Sequence, residues 1–377
     1  MLQRDLTPFI LKDLEKKIVL ISGPRQAGKT TLSKGLFPNS QEYLNFDRER
    51  DRAILRKEEW RRDVDLVVFD EIHKMKLWKR WIKGIYDTEG VKPRLLVTGS
   101  ARLDTYRSAG DSLAGRFFLY RLHPLSLAEI KKHLNPPSLD ESLDQLMQLG
   151  GFPEPFLSGS EVDANRWRST YLDRILREDL LDLEKVREIK LIEILVELLS
   201  ERVSSSVSYS SLAKDLQVSP HTVKKWVGIL ERLFIIFVVT PYSKNIAYAI
   251  LKEPKIYFYD TGRVKNESGA RFENLVACSL LKRNCFLEDT LGEKISLHYI
   301  KDHLKREVDF VCVRNSKLEV MVEAKVSDTS FSKDLIHYSE KFSGVPAVQL
   351  VKNEVRERQS GSATLQRASK WLAQLEG

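Results

Sequence analysis

The chain has 377 residues, 42% of them hydrophobic and 30% charged, with 61 Lys and Arg against 53 Asp and Glu for a formal net charge of +8. That length is a prior for two or three domains, and that composition excludes a disordered or fibrous chain. No apolar run approaches the ~20 residues of a membrane span and the first residues lack a signal-peptide apolar stretch, so a cytoplasmic protein without a membrane partner is expected.

Residues 4–16 predict a short amphipathic helix, with Thr7-Pro8 as cap and first-turn pair. Ile18 to Ser22 is an apolar, β-branched run with the length of a buried strand. Gly23-Pro24-Arg25-Gln26-Ala27-Gly28-Lys29-Thr30 follows at once and fits G-x-x-x-x-G-K-[ST], with Thr31 leading on into a predicted helix. The glycines let the backbone curl its N–H groups toward phosphate oxygens, and the helix N-terminus adds its dipole. In such a loop Lys29 would reach the β- and γ-phosphates, and the Thr30 hydroxyl would ligate Mg²⁺.

Gln41 to Phe46 predicts a second strand, and Asp47 to Arg62 a solvated helix dense in both charge signs. Residues 64–71, VDLVVFDE, predict an apolar strand ending in the carboxylate pair Asp70-Glu71. After a phosphate loop this is the Walker B pattern. Asp70 would hold the Mg²⁺ shell, and Glu71 would orient and deprotonate the attacking water. Residues 94–102, RLLVTGSAR, form a third buried strand with a polar end. Ser100 is placed to contact the γ-phosphate or the lytic water, with Thr98 as competitor. Arg116 is a candidate arginine finger toward a neighbouring subunit, which would make a homo-oligomer; Arg102 is the other candidate. Residues 117–130 supply a strand, a turn at His123-Pro124 and a helix capped by Ser126, with Glu129 at capping-box spacing.

Strands alternating with helices, with ligand loops at strand C-terminal ends, define an open, mostly parallel α/β sheet. The segments SGPRQAGKTT, VVFDEIHK, LLVTGSAR, LAGRFFLYRLHPLS and GGFPEPF, in this order, resemble a family of bacterial and archaeal AAA-type ATPases with a C-terminal domain of unassigned function. The likeness runs almost the full length. It implies a three-layer P-loop domain, a small helical lid, and ATP as the nucleotide. AAA-type lids place an arginine against the γ-phosphate, and Arg166, Arg168, Arg174 and Arg177 all lie on the charged helical stretch 163–188.

Pro136-Pro137 marks a boundary, a helix follows over 139–149, and Gly150-Gly-Phe-Pro153 breaks it. Helices over 189–201, 209–216 (capped by Ser208) and from Pro220 to about Leu233, then the strand IIFVVTPY, read as a winged helix-turn-helix. In that fold the third helix enters the major groove, which would turn His221, Thr222, Lys224 and Lys225 toward double-stranded DNA. The alternative is a module that packs domains together, with Trp226, Val227 and Leu230 in its core.

In the last region KIYFYD is a strand, Arg271 to Arg283 a helix carrying Glu273, Leu297 to Ile300 a strand, and EVDFVCV and LEVMVEAKV a hairpin. A helix over 331–341, the strand VPAVQLV and a tail helix follow. Cys278, Cys285 and Cys312 have no metal spacing and cannot all pair, as in a reducing cytosol. This order resembles the PD-(D/E)xK nuclease core, with Val308 where the name has proline. The resemblance implies Mg²⁺ held by Asp309 and Glu323, Lys325 activating water, and Glu273 completing the acidic cluster. The expected domains are therefore a P-loop ATPase core (1–135), a helical lid (136–187), a winged helix (188–245) and a nuclease-like α/β domain (246–377). The expected function is a Mg²⁺-dependent ATPase acting on or with DNA. The rival is an ATP-controlled signalling switch of the STAND kind, whose C-terminal domain is a protein-binding platform without cleavage.

Overall fold

A computed structural model describes residues 2–99, 113, 115–179, 188–243, 253–265, 268–327, 330–353 and 356–377. They fall into two compact units, Met1–Pro124 with Asp289–Leu291, and Leu125–Glu288 with Gly292–Gly377. Among the described residues no helix is long and apolar enough to cross a membrane.

The first unit runs α1 (Thr7–Leu14), β1 (Ile18–Ser22), α2 (Lys29–Leu36), β2 (Gln41–Asn45), α3 (Glu49–Lys57), β3 (Leu66–Asp70), α4 (Trp78–Glu89), β4 (Arg94–Thr98) and β5 (Phe117–Arg121). Its sheet has the order β2-β3-β4-β1-β5, with every pairing parallel. Every residue of β1 and β3 is buried, whereas the edge strands β2 and β5 bury one residue each. Covering on both faces is why the inner strands read as unbroken apolar runs. On one face Trp60, Phe69 and Trp81 meet edge to face with centroids 5.3–5.6 Å apart, beside buried Trp78, Ile82 and Ile85 of α4. Truncating Phe69 to alanine there would cost about 3–5 kcal/mol. Helix α1 differs from the expected cap: Leu6 is the N-cap without a side-chain bond, and Thr7 is already helical.

The second unit opens with α5 (Leu127–Leu134), α6 (Leu139–Leu149), α7 (Pro153–Ser158) and α8 (Glu161–Arg174). Ser126, Ser138 and Ser160 cap α5, α6 and α8, each accepting from the backbone N–H three residues on. Then come α9 (Ile189–Ser200), α10 (Tyr209–Leu216) and α11 (Pro220–Arg232), where Ser219 accepts from Thr222 N and Pro220 sits in the first turn. Ser208 takes the N-cap position of α10 without a side-chain bond.

Strands β6 (Ile236–Pro241) and β7 (Lys255–Phe258) form an antiparallel pair, and β6 also runs parallel to β8 (Ile295–Lys301). The hairpin that would be a wing is thus continuous with the sheet of the last region. That sheet has eight strands, β12-β13-β11-β10-β9-β8-β6-β7, with β9 (Glu307–Arg314), β10 (Lys317–Lys325), β11 (Ala347–Val351), β12 (Arg358–Ser360) and β13 (Ala363–Arg367). The long helix α12 (Ser268–Leu291) buries Phe272, Glu273, Asn274 and Val276. Helix α13 (Lys333–Lys341) sets Leu335 and Tyr338 against Val308, Val311 and Met321, and α14 (Ala368–Leu372) ends the chain. The β12–β13 ribbon lies where the sequence suggests only a tail helix.

Candidate functional site

The phosphate loop is shaped by its glycines. Gly23 has φ +145°, and a Cβ there would sit 2.3 Å from the Leu122 carbonyl oxygen. Gly28, the N-cap of α2, has φ +100°. Gln26 between them is also left-handed, so the loop stores strain of the kind functional turns carry. Arg4 is buried and donates from its guanidinium to Ala27 O (2.8 Å) and His123 O (2.5 Å), fastening the loop from beneath. Lys29 is buried, and its Nζ donates to the Gly23 and Pro24 carbonyls at 2.9 and 2.7 Å.

Three strands aim their C-terminal ends at this loop. Asn45 of β2 is in register with Asp70 of β3, which is in register with Thr98 of β4. Thr98 Oγ1 donates to Asp70 Oδ1 (2.5 Å), and Asn45 Nδ2 donates to Oδ2 (3.0 Å). The Tyr43 hydroxyl donates in a short bond to the same Oδ2 and lies 3.5 Å from Thr30 Oγ1. It therefore stands between the two oxygens expected to hold Mg²⁺. Burial first, and Asp70 second, push the Tyr43 phenol well above its ordinary pKa, so it is a neutral donor.

Glu71 has φ +55° and donates its N–H to Thr98 O at 2.9 Å. Its carboxyl is pushed up to about 7, by burial and then by Asp70, against the pull of Lys29 and Lys74. Its Oε2 is buried without a hydrogen-bond partner, 3.5 Å from His73 Nε2. The same oxygen has Lys74 Nζ at 4.0 Å, so it is held by long ion pairs rather than a hydrogen bond and can still accept from a water. The donor set fits Mg²⁺: a hydroxyl and one carboxylate, all hard oxygens, leave the remaining positions to phosphate and water.

Thr30 and Thr31 are exposed at the start of α2. Thr98 spends its hydroxyl proton on Asp70, while Ser100 and Arg102 lie outside the described residues. Arg116 precedes β5, at the opposite strand end from the phosphate loop, and its Nε pairs with Asp87 at 2.6 Å. Of the lid arginines, Arg168 is buried against Asp260 (2.8 Å) and the Leu149 carbonyl (2.6 Å), and Arg177 pairs with Asp173. Gly150 and Gly262 fit around the Arg168–Asp260 pair, where a Cβ on either would clash.

In the second unit the four residues expected from the sequence do converge. Asp309 Oδ2 accepts from Ala324 N (2.9 Å), Glu323 Oε2 accepts from Asp309 N (3.4 Å), and Lys325 Nζ lies 2.9 Å from Glu323 Oε1. Glu273 comes from α12 and accepts from the Tyr257 hydroxyl at 2.6 Å. Burial, and then Asp309, raise the pKa of both Glu273 and Glu323. Lys255, which the motif reading passes over, stands among them at 1% exposure, 2.6 Å from Glu307 and 3.1 Å from Glu273. A lysine opening the apolar run KIYFYD was its one signal in the sequence. Among the described residues no group of three or more His, Cys, Asp or Glu side chains is disposed to hold a metal ion.

Comparison with known proteins gives two family matches. Residues 15–131 match the family model described as an AAA domain, and residues 140–271 match one described as a domain of unknown function. The first match covers the phosphate loop, Asp70 and Glu71, so this part of the chain is similar to AAA domains. An uncharacterized protein of Mycobacterium bovis is 29% identical over 265 residues, 69% of this chain and 58% of that protein. One of Methanocaldococcus jannaschii is 24% identical over 364 residues, 87% of this chain and 79% of its own. The chain thus spans 58% of the length of the mycobacterial relative. Among solved structures, RuvB of Thermotoga maritima aligns over 65% of this chain and 92% of its own at TM-score 0.28 and 16% identity. A signal-transduction ATPase with a tetratricopeptide-repeat sensor from Pyrococcus horikoshii aligns over 76% and 45% at TM-score 0.24 and 13% identity. Superpositions that loose carry no argument about function.

Proposed function

We propose that the protein is a Mg²⁺-dependent ATP hydrolase that works on or with DNA. The observation that carries the hydrolase reading is the convergence of Lys29, Thr30, Asp70 and Glu71 at one end of a parallel sheet. Lys29 leaves its two carbonyls for the β- and γ-phosphates. Thr30 and Asp70 hold the Mg²⁺, which neutralises phosphate charge when bound. Glu71, in its left-handed turn after β3, orients the attacking water and takes its proton. The choice of ATP over GTP rests on the AAA-type match. Replacing Lys29 with alanine tests the reading: loss of ATP turnover and of nucleotide binding is expected, and unchanged turnover would reject it.

Contact with DNA is supported by α11, whose Ser219 cap and Pro220 start leave His221, Lys224 and Lys225 exposed while Val223, Trp226 and Val227 are buried. Duplex binding that weakens steeply with salt, and weakens again in Lys224→Glu, is expected. A homo-oligomer is part of the same reading, with Arg116 leaving Asp87 to reach a neighbour's nucleotide. For the last region the nuclease reading assigns Asp309, Glu323 and Glu273 to Mg²⁺ and Lys325 to the water. A second reading, the ATP-controlled switch with a non-cleaving platform, is favoured by Lys255 lying among those carboxylates. Plasmid nicking with Mg²⁺ or Mn²⁺, abolished by Asp309→Ala, would decide for cleavage.

A further inference from the structure

The four carboxylates grouped around Asp309, namely Glu273, Glu307, Glu323 and Asp309 itself, are all engaged. Lys255 Nζ has Glu307 Oε1 at 2.6 Å, Glu273 Oε1 at 3.1 Å and Asp309 Oδ1 at 3.6 Å. An ammonium has three N–H donors and no acceptor, and three carboxylates surround this one. The Tyr299 ring lies 5.6 Å from the same nitrogen. The other Asp309 oxygen accepts from Ala324 N, the two Glu323 oxygens face Lys325 and Asp309 N, and Lys301 pairs with the second Glu307 oxygen at 2.7 Å. Phe310, Val308 and Val322 are fully buried around the group.

Lys255 Nζ occupies the Glu273 Oε1 and Asp309 Oδ1 oxygens that a divalent ion shared by those two side chains would use. Two cations cannot share that space, and an incoming ion would have to displace a buried ammonium from its ion pairs with nowhere in the folded strand for it to go. Strand pairing also holds the lysine in place: Lys255 is in register with Val239 of β6, and Ser206 bridges to it. Of the donors expected from the nuclease resemblance, Asp309 and Glu273 are thus taken by Lys255, and Glu323 by Lys325 and Asp309 N, so the set does not fit a metal without displacing these partners.

We propose that the Lys255 ammonium is the resident cation of the Glu273–Glu307–Asp309 cluster, in the place a divalent metal would take, so that the folded C-terminal unit is closed to Mg²⁺ and Mn²⁺. This deepens the non-cleaving reading above and rests on it. It makes the cluster a structural ion-pair network at the heart of a binding domain.

The test is Mn²⁺ binding to the nucleotide-free full chain, read as loss of free-ion signal by electron paramagnetic resonance. The wild type and Asp309→Asn are expected to give the same isotherm, because the cluster binds no Mn²⁺ in either. Lys255→Met is expected to bind Mn²⁺ at least about tenfold more tightly than wild type, a gain that adding Asp309→Asn removes. A wild-type site that Asp309→Asn abolishes overturns the inference, as does a folded Lys255→Met that gains none. Should Lys255→Met fail to fold, the comparison of wild type with Asp309→Asn still decides. Plasmid cleavage on the same preparations separates the two claims. Mn²⁺ binding without cleavage overturns only the resident-cation inference, whereas cleavage lost in Asp309→Asn overturns the non-cleaving reading with it.

Discussion

Each unit holds a buried lysine beside carboxylates, and the two lysines are held in opposite ways. Lys29 rests on two neutral carbonyls, Gly23 O and Pro24 O, while Asp70 is satisfied by three neutral donors, Thr98, Asn45 and Tyr43. Lys255 is bound by three carboxylates at 1% exposure, and an incoming cation could take its place only by driving the buried ammonium out of the strand. Hydrogen bonds with one charged partner contribute about 1.5–3 kcal/mol each, and a phosphate or a metal brings a full charge in place of the neutral partner. Breaking a buried ion pair costs more, about 3–5 kcal/mol, and leaves a bare charge behind. The first site is built to be vacated and refilled, and the second to stay shut.

The largest expected effect lies in the first site. Glu71→Gln keeps the strained turn and the size of the side chain but removes the base. ATP turnover is expected to fall by about 10²–10⁴-fold, with ATP affinity close to wild type by calorimetry. Unchanged turnover would leave the site a binding pocket and erase its contrast with the second.

Next in size is stability. Lys255→Met leaves Glu273, Glu307 and Asp309 facing one another and is expected to cost about 3–5 kcal/mol in chemical denaturation. Lys29→Met removes a lysine of similar burial whose hydrogen bonds go to the Gly23 and Pro24 carbonyls, with Glu71 a more distant partner, and should cost less, about 1–2 kcal/mol. Equal costs at the two positions would mean that burial, not the partner's charge, sets the difference.

Why one lysine was visible in the sequence and the other was not follows from chain distance. Gly23 to Thr30 is a contiguous loop between a strand and a helix, and Asp70-Glu71 closes a buried, mostly apolar strand. Local spacing carries all of it. The convergence of Glu273, Asp309 and Glu323 was also legible, because β9 and β10 are a hairpin and α12 precedes them. Lys255 reaches that cluster only because β7 pairs with β6 and α12 folds back beside it, bringing Glu273 and Glu307 to a residue 18 and 52 positions away. Tyr43 and Asn45 were hidden for the same reason: their partner Asp70 lies on the neighbouring parallel strand. Their trace in the sequence is the alternation Gln41, Tyr43, Asn45, a polar face on a strand next to the most apolar one. The β6–β7 hairpin straddles the 245/246 boundary expected between winged helix and nuclease-like domain, because strand pairing, not composition, joins β6 to β8.

The smallest effect tests the idea of a replaceable occupant most directly. Tyr43→Phe removes the hydroxyl that bridges Thr30 and Asp70 and keeps the ring, which lies under Lys34 at 4.8 Å. Asp70 stays oriented by Thr98 and Asn45. If the hydroxyl only holds the Mg²⁺ position in the empty site, its loss weakens the empty state alone. The Mg²⁺ concentration that half-saturates ATP binding should then fall by roughly tenfold, the equivalent of one hydrogen bond to a charged group of about 1.5 kcal/mol. Affinity for ATP in chelator, where no metal competes for the position, should stay near wild type. A Mg²⁺ requirement that rises instead would show the hydroxyl supporting the loaded site. Tyr43 would then be a fixed part of the metal's surroundings, and the first site would hold its occupant as firmly as the carboxylates hold Lys255.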